Sequence, residues 1–313
     1  MGKPVVLWAR DAGLAADLAD RRENVRYLPG ISLPEHVGIV ADAEPALATA
    51  RIVVVAVPSH GVETTLSPLV GAFAPLTTIV SATKGLEPRR GRRISELLGE
   101  LLPGRPMAVL SGPSFAREVA LGRPTALVVA SAEPRVAQEL QRALAAPAFR
   151  LYTNRDVTGV ELGGALKNVM AIATGLSDGL GLGENARAAL ITRGLAEIAR
   201  LGVALGAQPA TFSGLAGLGD LVLTCTGSLS RNRALGRAVA QGRPLAAVQA
   251  ETPMVAEGVR TTASAVRLAD QAGVAMPICL EVGEVLFHGK RPAEALGALL
   301  ARDQKSEEEA YRA

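Results

Sequence analysis

The sequence predicts an α/β domain built on a parallel sheet, followed by a domain made only of helices. Between residues 4 and 150, short apolar runs alternate with segments of helical periodicity, as in a doubly wound α/β fold. The apolar runs show no polar alternation, which is typical of strands buried on both faces. After about Arg150 the strand-like runs stop, and a helical pattern broken by Gly and Pro continues to Leu300.

The predicted elements follow from these patterns. Strands are expected at Val5–Ala9, Ile52–Val57, Thr78–Ala82, Met107–Leu110 and Ala126–Ala130. Helices are expected between them, near Leu14–Arg22, Val62–Phe73, Arg93–Leu101 and Arg135–Ala145. A chain of 313 residues is long for one domain, so we divide it into 1–152 and 153–313.

Composition excludes several classes of protein. No apolar run reaches the roughly 18 residues that would span a bilayer. Cys225 and Cys279 form no metal-binding or disulfide pattern, and the N-terminus lacks the features of a signal peptide, so we expect a cytoplasmic protein without a metal. A net charge of +3 is too small to indicate nucleic-acid binding, and the basic run at 89–93 is typical of a solvated turn.

The segment from Gly159 to Arg193 predicts two helices separated by a glycine-rich break, with Lys167 inside the first. Gly163 and Gly164 lie one helical turn before Lys167, on the surface beside its ammonium group. Glycine inside a helix costs roughly 1 kcal/mol relative to alanine, so the pair indicates a close approach. A lysine in a bare apolar notch suits a small anionic or carbonyl substrate. The alternative is a surface lysine over a helix–helix contact.

The carboxyl ends of the predicted strands are the expected ligand-binding edge of the sheet. The residues that follow four of these strands occupy positions 8–11, 58–60, 83–85 and 111–114. Arg10 suits a ribose 2′-phosphate and Asp11 suits a 2′-hydroxyl, although both also suit an exposed turn. His60 follows Pro and Ser and is typical of a loop or helix start, so we leave it out of the candidate site.

Several blocks of sequence resemble one known family. The blocks are VVLWARD at 5–11, RENVRYLPG at 22–30, AVPSH at 56–60, SATKGLE at 81–87, SGPSFA at 111–116, GVELGGALKNVMAIATGL at 159–176, GLAGLGDLVLTCTGSLSRNRALG at 214–236 and AEGVRTT at 256–262. Their sequence and order resemble the prokaryotic NAD(P)-dependent glycerol-3-phosphate dehydrogenases, from about Val5 to about Ser306. The resemblance implies a Rossmann-type dinucleotide-binding domain followed by a helical substrate domain.

The resemblance also implies an activity and its residues. The expected reaction interconverts dihydroxyacetone phosphate and sn-glycerol 3-phosphate with NADPH or NADH, NADP being slightly favoured, and supplies phospholipid synthesis. Lys167 matches the catalytic proton donor and acceptor. Matching substrate positions are Lys84, Gly112, Ser114, Lys167, Asp220, Ser230, Arg231 and Asn232. Matching cofactor positions are Arg10, Tyr27, Lys84, Ala116, Arg231, Val255 and Glu257. No nucleic-acid partner is implied, and a homodimer is left open.

Elementary chemistry agrees with these roles. A carbonyl oxygen that receives negative charge needs a proton and a fixed positive environment. Burial and a second lysine would both lower the pKa of Lys167, while Asp220 would raise it. Ser230-Arg231-Asn232 opens a predicted helix, whose first N–H groups and guanidinium suit a phosphate, although a plain capped helix is the alternative.

The chain departs from the family at its beginning. It holds no G-x-G-x-x-G loop, and its first predicted strand matches the second strand of the family's sheet. We therefore expect a sheet without its first strand, with unpaired backbone on two neighbours. An incorrectly assigned start is the explanation we favour, and a real truncation is the other. The rival functions are a non-catalytic or cofactor-impaired phosphometabolite-binding homologue and another two-domain β-hydroxyacid-type dehydrogenase.

Overall fold

A computed structural model describes residues 4–251, 256–304 and 306 of the chain. The strands lie in the first half: β1 (Val5–Trp8), β2 (Val37–Val40), β3 (Ile52–Val55), β4 (Thr78–Ser81), β5 (Met107–Ser111), β6 (Thr125–Ala130) and β7 (Phe149–Asn154). The helices among them are α1 (Ala12–Arg21), α2 (Glu44–Leu47), α3 (Val62–Leu66), α4 (Ile94–Leu101), α5 (Ala116–Ala120) and α6 (Pro134–Leu144). All five predicted strands form, with ends within two residues of the prediction.

The second half is helical, as predicted. Its helices are α7 (Val157–Gly179), α8 (Gly183–Ala204), α9 (Pro209–Phe212), α10 (Asp220–Thr226), α11 (Arg231–Ala240), α12 (Leu245–Ala250), α13 (Glu257–Gln271), α14 (Pro277–Phe287) and α15 (Pro292–Leu300). A π-helical turn, Leu215–Gly219, leads directly into α10. No described residue after Asn154 belongs to a strand.

The strands form two separate sheets, ordered β1-β2 and β3-β4-β5-β6-β7. No ladder joins β1 to β3 within the described part of the chain, and we call this separation the sheet break. The end of β1 nevertheless lies beside the segment that follows β3, because Arg10 donates a hydrogen bond of 3.4 Å to Thr65 of α3. Val5, Val6 and Val54 are about half exposed along the break, at 50%, 52% and 47%. The expectation of unpaired strands at this place is confirmed.

The predicted parallel sheet is confirmed, and one pair of neighbouring strands within it is antiparallel. β6 runs antiparallel to β5, whereas β7 is parallel to β6. The reason lies in the connections. Only the five-residue helix α5 separates β5 from β6, so the chain turns back along its neighbour, whereas the 11-residue helix α6 carries it across to a parallel β7.

Strands β2 and β7 were missed because their sequences are not continuously apolar. β7 carries exposed Arg150 and Tyr152 on either side of buried Leu151, and it ends at Asn154 rather than near Arg150. The boundary placed between 152 and 153 therefore falls inside β7. We propose that the division lies between Asn154 and Val157, where the sheet ends and α7 begins.

Helix α7 is the centre of the helical domain. Its residues from Gly159 to Ser177 are all buried, and they pack against α8, α10, α11 and α13. Near its start, Glu161 reaches back to the first domain, where its carboxylate accepts hydrogen bonds from the Ser95 backbone N–H at 2.8 Å and the Ser95 hydroxyl at 2.5 Å. The helix that carries Lys167 is thus braced against α4.

No single described helix has the length and apolar character to cross a bilayer; the bent pair Pro209–Thr226 and Arg231–Ala240 meets those two criteria only when taken together.

Candidate active site

The two glycines before Lys167 allow backbone segments to approach α7 closely. A Cβ atom on Gly163 would lie 2.6 Å from the Ala216 carbonyl oxygen, and one on Gly164 would lie 2.3 Å from Oγ of Ser111. The glycines therefore pack against the π-helical turn and the end of β5. The notch is filled by protein atoms, so close packing accounts for the glycine pair, as the alternative interpretation held. Lys167 itself is not on the surface, since only 6% of it is exposed.

Asp220 holds the two lysines together. Its Oδ1 accepts a hydrogen bond from Lys167 Nζ, and its Oδ2 lies 2.9 Å from Lys84 Nζ. Asp220 is fully buried at the start of α10, whereas Lys84 follows β4 and Lys167 lies in the middle of α7. Lys84 and Lys167 thus meet at the Asp220 carboxylate, although they lie 136 and 53 positions from Asp220 in the chain.

The electrostatic environment alters the acid–base behaviour of Lys167. Burial and, after it, the charge of Lys84 lower the pKa of its ammonium group from 10.5 to about 7. The Asp220 carboxylate opposes both effects. The directions agree with those expected from sequence, and they leave Lys167 able to gain or lose a proton near neutral pH.

The loop after β5 supplies further oxygens beside Lys84. Lys84 Nζ donates hydrogen bonds to the Gly112 carbonyl at 2.7 Å and to Oγ of Ser114 at 3.1 Å. Gly112 has a φ of +132°, and a Cβ there would lie 2.9 Å from Cδ2 of Leu127. Only glycine suits this position, since both the backbone conformation and the neighbouring strand exclude a side chain.

A pair of buried amides connects this centre to α11 and α13. Asn168 donates to the Lys84 carbonyl at 3.1 Å, and its own Oδ1 accepts from Nδ2 of Asn232 at 2.9 Å. Asn232 in turn accepts a hydrogen bond of 3.0 Å from the Gly258 N–H. The two amides align the backbone of Lys84 with the starts of two helices.

The start of α11 has the predicted form of a capped helix. The Ser230 hydroxyl accepts from the Arg233 N–H at 3.3 Å, and both Ser230 and Asn232 are buried. Arg231, the first residue of the helix, is exposed. A guanidinium beside the first N–H groups of a helix is suited to an anion.

Glu257 and Ser59 join α13 to the end of β3. The Glu257 carboxylate accepts from the Ser59 N–H at 3.0 Å and from its hydroxyl at 2.7 Å. Glu257 is thus positioned at the carboxyl edge of the sheet. Val255 lies outside the described residues.

The remaining candidate cofactor residues lie on the surface near this edge of the first domain. Arg10 is exposed, and Asp11 is occupied as the cap of α1, where it accepts from the Leu14 N–H at 3.0 Å. Tyr27 is 38% exposed with the Arg26 guanidinium 5.2 Å from its ring centre, and Ala116 is the exposed first residue of α5.

Both halves of the chain match sequence models of one family. The match to the N-terminal part of the NAD-dependent glycerol-3-phosphate dehydrogenases covers residues 1–137, and the match to the C-terminal part covers residues 156–297. The chain belongs to this family.

Individual relatives agree with this assignment. The chain is 50% identical over 309 residues to glycerol-3-phosphate dehydrogenase (NAD(P)+) of Citrifermentans bemidjiense, covering 98% of this chain and 92% of the relative. It is 51% identical over 310 residues to the enzyme of the same name from Geobacter metallireducens, with the same coverage. Among solved structures, glycerol-3-phosphate dehydrogenase from Coxiella burnetii superposes with a TM-score of 0.93 at 39% identity, covering 96% of this chain and 92% of that one.

More distant structures share the fold alone. A ketopantoate reductase from Ralstonia eutropha superposes with a TM-score of 0.61 at 16% identity, covering 94% of this chain and 92% of that one. The rival assignment to another two-domain dehydrogenase therefore has fold-level support only.

The geometry unites part of the predicted site. Lys84, Gly112, Ser114, Lys167 and Asp220 share direct hydrogen bonds, and Asn232 joins them through Asn168. No hydrogen bond or ion pair among the described residues links Arg10, Tyr27 or Ala116 to that group.

Sequence reasoning missed three polar residues that orient the site: Ser59, Asn168 and Thr224. The Thr224 hydroxyl donates to the Asp220 carbonyl at 2.6 Å and lies 3.4 Å from its Oδ1. For Asn168 and Thr224 the sequence did offer a signal, since each is a polar residue in a mostly apolar helix, close in the chain to Lys167 or Asp220. In the described ranges 4–251, 256–304 and 306, no group of three His, Cys, Asp or Glu residues could hold a metal ion.

Proposed function

We propose that this chain interconverts dihydroxyacetone phosphate and sn-glycerol 3-phosphate, with Lys167 as the group that exchanges a proton with the substrate oxygen. The observation that carries the proposal is the buried Asp220 carboxylate shared by Lys84 and Lys167, with a Lys167 pKa near 7. Two lysines and one carboxylate leave a positive environment where a carbonyl oxygen gains charge.

The proton step follows from the geometry. In the reducing direction the protonated Lys167 donates to the carbonyl oxygen, and in the oxidising direction its neutral amine accepts the hydroxyl proton. Asp220 orients both ammonium groups through separate oxygens. Lys84, held by Gly112 and Ser114, adds a second positive charge on the side of the sheet.

The start of α11 is the proposed phosphate site. Exposed Arg231 and the first N–H groups of this ten-residue helix suit a phosphate dianion. Asn232 fixes this helix start to Asn168, the residue next to Lys167. A short phosphorylated ketone can therefore contact the phosphate site and the proton donor together.

The residues at the sheet edge fit a nicotinamide dinucleotide, which supplies the hydride when bound. Exposed Arg10 at the end of β1 suits the adenosine 2′-phosphate and favours NADPH slightly over NADH. Lys84 and Arg231 are the cofactor positions that we propose towards the reacting end, and Glu257, Tyr27, Ala116 and Val255 are the other cofactor positions that we propose. We also propose a cytoplasmic location, a role in supplying phospholipid synthesis and a homodimeric assembly.

The test is oxidation of NADPH by the purified chain, with and without dihydroxyacetone phosphate. We expect substrate-dependent oxidation that Lys167→Ala abolishes. Lys290→Ala is the control, because Lys290 pairs with Glu281 of α14 at 2.6 Å, away from Asp220. Binding of dihydroxyacetone phosphate without any turnover would instead favour a non-catalytic binding protein.

A further inference from the structure

Arg260 of α13 and His60, which follows β3, form a pair that has no part in the proposed proton step or phosphate site. Nη1 of Arg260 lies 3.0 Å from Nδ1 of His60, and both side chains are exposed. His60 belongs to the turn Ser59–Gly61 that follows β3, and Arg260 lies one helical turn after Glu257. The pair therefore lies beside the Glu257–Ser59 contact, at the carboxyl edge of the sheet.

The pair offers hydrogen-bond donors and no acceptor. Arginine is always a donor, so Nδ1 of His60 accepts, and a neutral ring that accepts at Nδ1 carries its proton at Nε2. Among the described residues, the Arg260 guanidinium makes no other hydrogen bond or ion pair. Its remaining N–H groups and the Nε2–H of His60 are free to face a ligand.

The surroundings are positively charged. Arg260 and Arg10 both lower the pKa of His60, after burial as the largest cause, and Glu257 is the opposing group. The Glu257 carboxylate already accepts two hydrogen bonds from Ser59. An anion that entered between Arg10 and Arg260 would thus meet two guanidinium groups and one carboxylate that is already occupied.

The position along the sheet identifies the anion. Arg10 follows β1, His60 follows β3 and Lys84 follows β4, so the end of β3 lies between the adenosine side and the reacting side of the proposed site. A dinucleotide that extends from Arg10 to Lys84 must cross the end of β3 with its middle. The middle of a dinucleotide is its pyrophosphate.

We infer that Arg260 binds the pyrophosphate of the dinucleotide at the sheet break, and that His60 is a positioning residue that orients the guanidinium. This inference rests on the proposed function, because that function places a dinucleotide along the edge. The Arg260 guanidinium suits the pyrophosphate, because arginine donates paired hydrogen bonds to phosphate oxygens.

The test compares Arg260→Ala with Arg267→Ala. Arg267 is an exposed arginine on the same helix, and it donates to the carbonyls of Arg89 and Pro88 at 3.1 and 2.9 Å instead of facing His60. We expect Arg260→Ala to weaken binding of ADP-ribose and to raise the KM for NADPH by roughly ten-fold or more, as for loss of a charge-assisted hydrogen bond. The KM for dihydroxyacetone phosphate and the binding of adenosine should remain unchanged, and Arg267→Ala should leave ADP-ribose binding within about two-fold of the unaltered chain.

The positioning role of His60 has its own readout. His60→Ala should weaken ADP-ribose binding, and His60→Asn should restore it in part, because the asparagine Oδ1 can accept from Arg260. If His60→Asn binds ADP-ribose no better than His60→Ala, the positioning role is wrong.

The outcomes separate this inference from the proposed function. Turnover with an unchanged NADPH KM in Arg260→Ala would overturn the inference and leave the function standing. Absence of turnover in the unaltered chain, with ADP-ribose binding that Arg260→Ala removes, would overturn the function and support the inference. Failure of the unaltered chain to bind ADP-ribose, or an equal loss in Arg260→Ala and Arg267→Ala, would overturn the inference.

Discussion

At Lys167, burial and a neighbouring cation act in the same direction on one ammonium group. Both lower its pKa, to about 7, and Asp220 limits the effect by favouring the charged form. The charge state of Lys167 therefore changes within the pH range in which an enzyme of this family would be assayed, whereas an exposed lysine titrates near 10.4.

The pH dependence of the two reaction directions should be opposite. Reduction needs the protonated amine, so its kcat should fall as pH rises through about 7. Oxidation needs the neutral amine, so its kcat should rise over the same range. The measurement is a pH profile in each direction. Asp220→Asn should move both inflections to lower pH in whatever activity remains, because it removes the group that raises the pKa of Lys167. Profiles that change in the same sense in both directions would exclude Lys167 as the exchanging group.

Sequence reasoning at the residue scale was strongest where a charged side chain lies in an apolar setting. Lys84, Lys167 and Asp220 were named from the motifs that carry them, and their direct contact is now seen. The partners of Ser59 and Asn168 could not be named from sequence, because Glu257 and Lys84 are 198 and 84 residues distant in the chain. A hydrogen bond over such a separation follows from the fold and leaves no local pattern.

At the scale of elements, two helices are joined by a buried carboxylate far from the site. Glu197 of α8 accepts hydrogen bonds from the N–H groups of Ile278 and Cys279, at 2.8 and 3.3 Å, and so caps the start of α14. Burial raises the pKa of Glu197 to about 7 despite these two donors. The folded state therefore holds a proton that the unfolded state releases above about pH 4.5.

This carboxylate should make stability depend on pH in a defined direction. Its contribution is fully present below about pH 4.5 and is lost as pH rises to about 7, with an upper limit of about 3 kcal/mol. Glu197→Gln cannot ionise, so the free energy of unfolding of this variant relative to the unaltered chain should increase between pH 5 and pH 8. Urea unfolding at both pH values is the measurement, with Glu139→Gln on the surface of α6 as the control. A difference that is constant with pH would contradict the raised pKa.

Replacement of glycine by alanine should have opposite effects on the stability of the fold in α7 and in α15. On Gly175 of α7 a Cβ would lie 2.1 Å from the backbone carbonyl oxygen of Arg233, whereas on Gly297 of α15 it would meet nothing within 4 Å. Gly175→Ala should destabilise the fold by about 1–3 kcal/mol by forcing α11 away. Gly297→Ala should stabilise it by up to about 1 kcal/mol through helix propensity. Thermal unfolding of both variants measures the contrast, and equal effects would show that the α7–α11 contact can relax.

The elements themselves were predictable to different degrees. Buried strands such as β4 stood out because their apolar runs are continuous, whereas β2 is interrupted by exposed Gly38 and β7 mixes exposed and buried positions. β6 is antiparallel to β5 because the connection between them is short. The residues within β6 give no signal of this direction. Long α7 was apparent from its period, but its brace through Glu161 to Ser95 needed the tertiary structure.

At the scale of the whole molecule, the sheet break leaves two apolar strand edges without a ladder partner among the described residues. Unpaired edges of this kind favour pairing with another chain. Val54 of β3 is 47% exposed at the break, and Leu76, in the connection between α3 and β4, is 85% exposed away from any strand.

Self-association should therefore depend on Val54. We expect the purified chain to associate as its concentration rises, and Val54→Lys should reduce that association by placing a charge on the edge strand. Leu76→Lys, which also removes an exposed apolar side chain, should have little effect. Sedimentation velocity over a range of concentrations measures both, and equal behaviour of the two variants would locate the association elsewhere.

The contact between α7 and α11 should limit the length of the substrate that the proposed site can accept. Lys167 and Asn168 are neighbours on one helix, and Asn168 binds Asn232 at the start of the other, 2.9 Å away. Because α7 and α11 are packed too closely for even a methyl group at Gly175, the separation between the proposed proton donor and the proposed phosphate site is fixed. A phosphorylated ketone with one more carbon between carbonyl and phosphate should bind one end or the other and be reduced slowly, a selectivity that competition between the two ketones would measure.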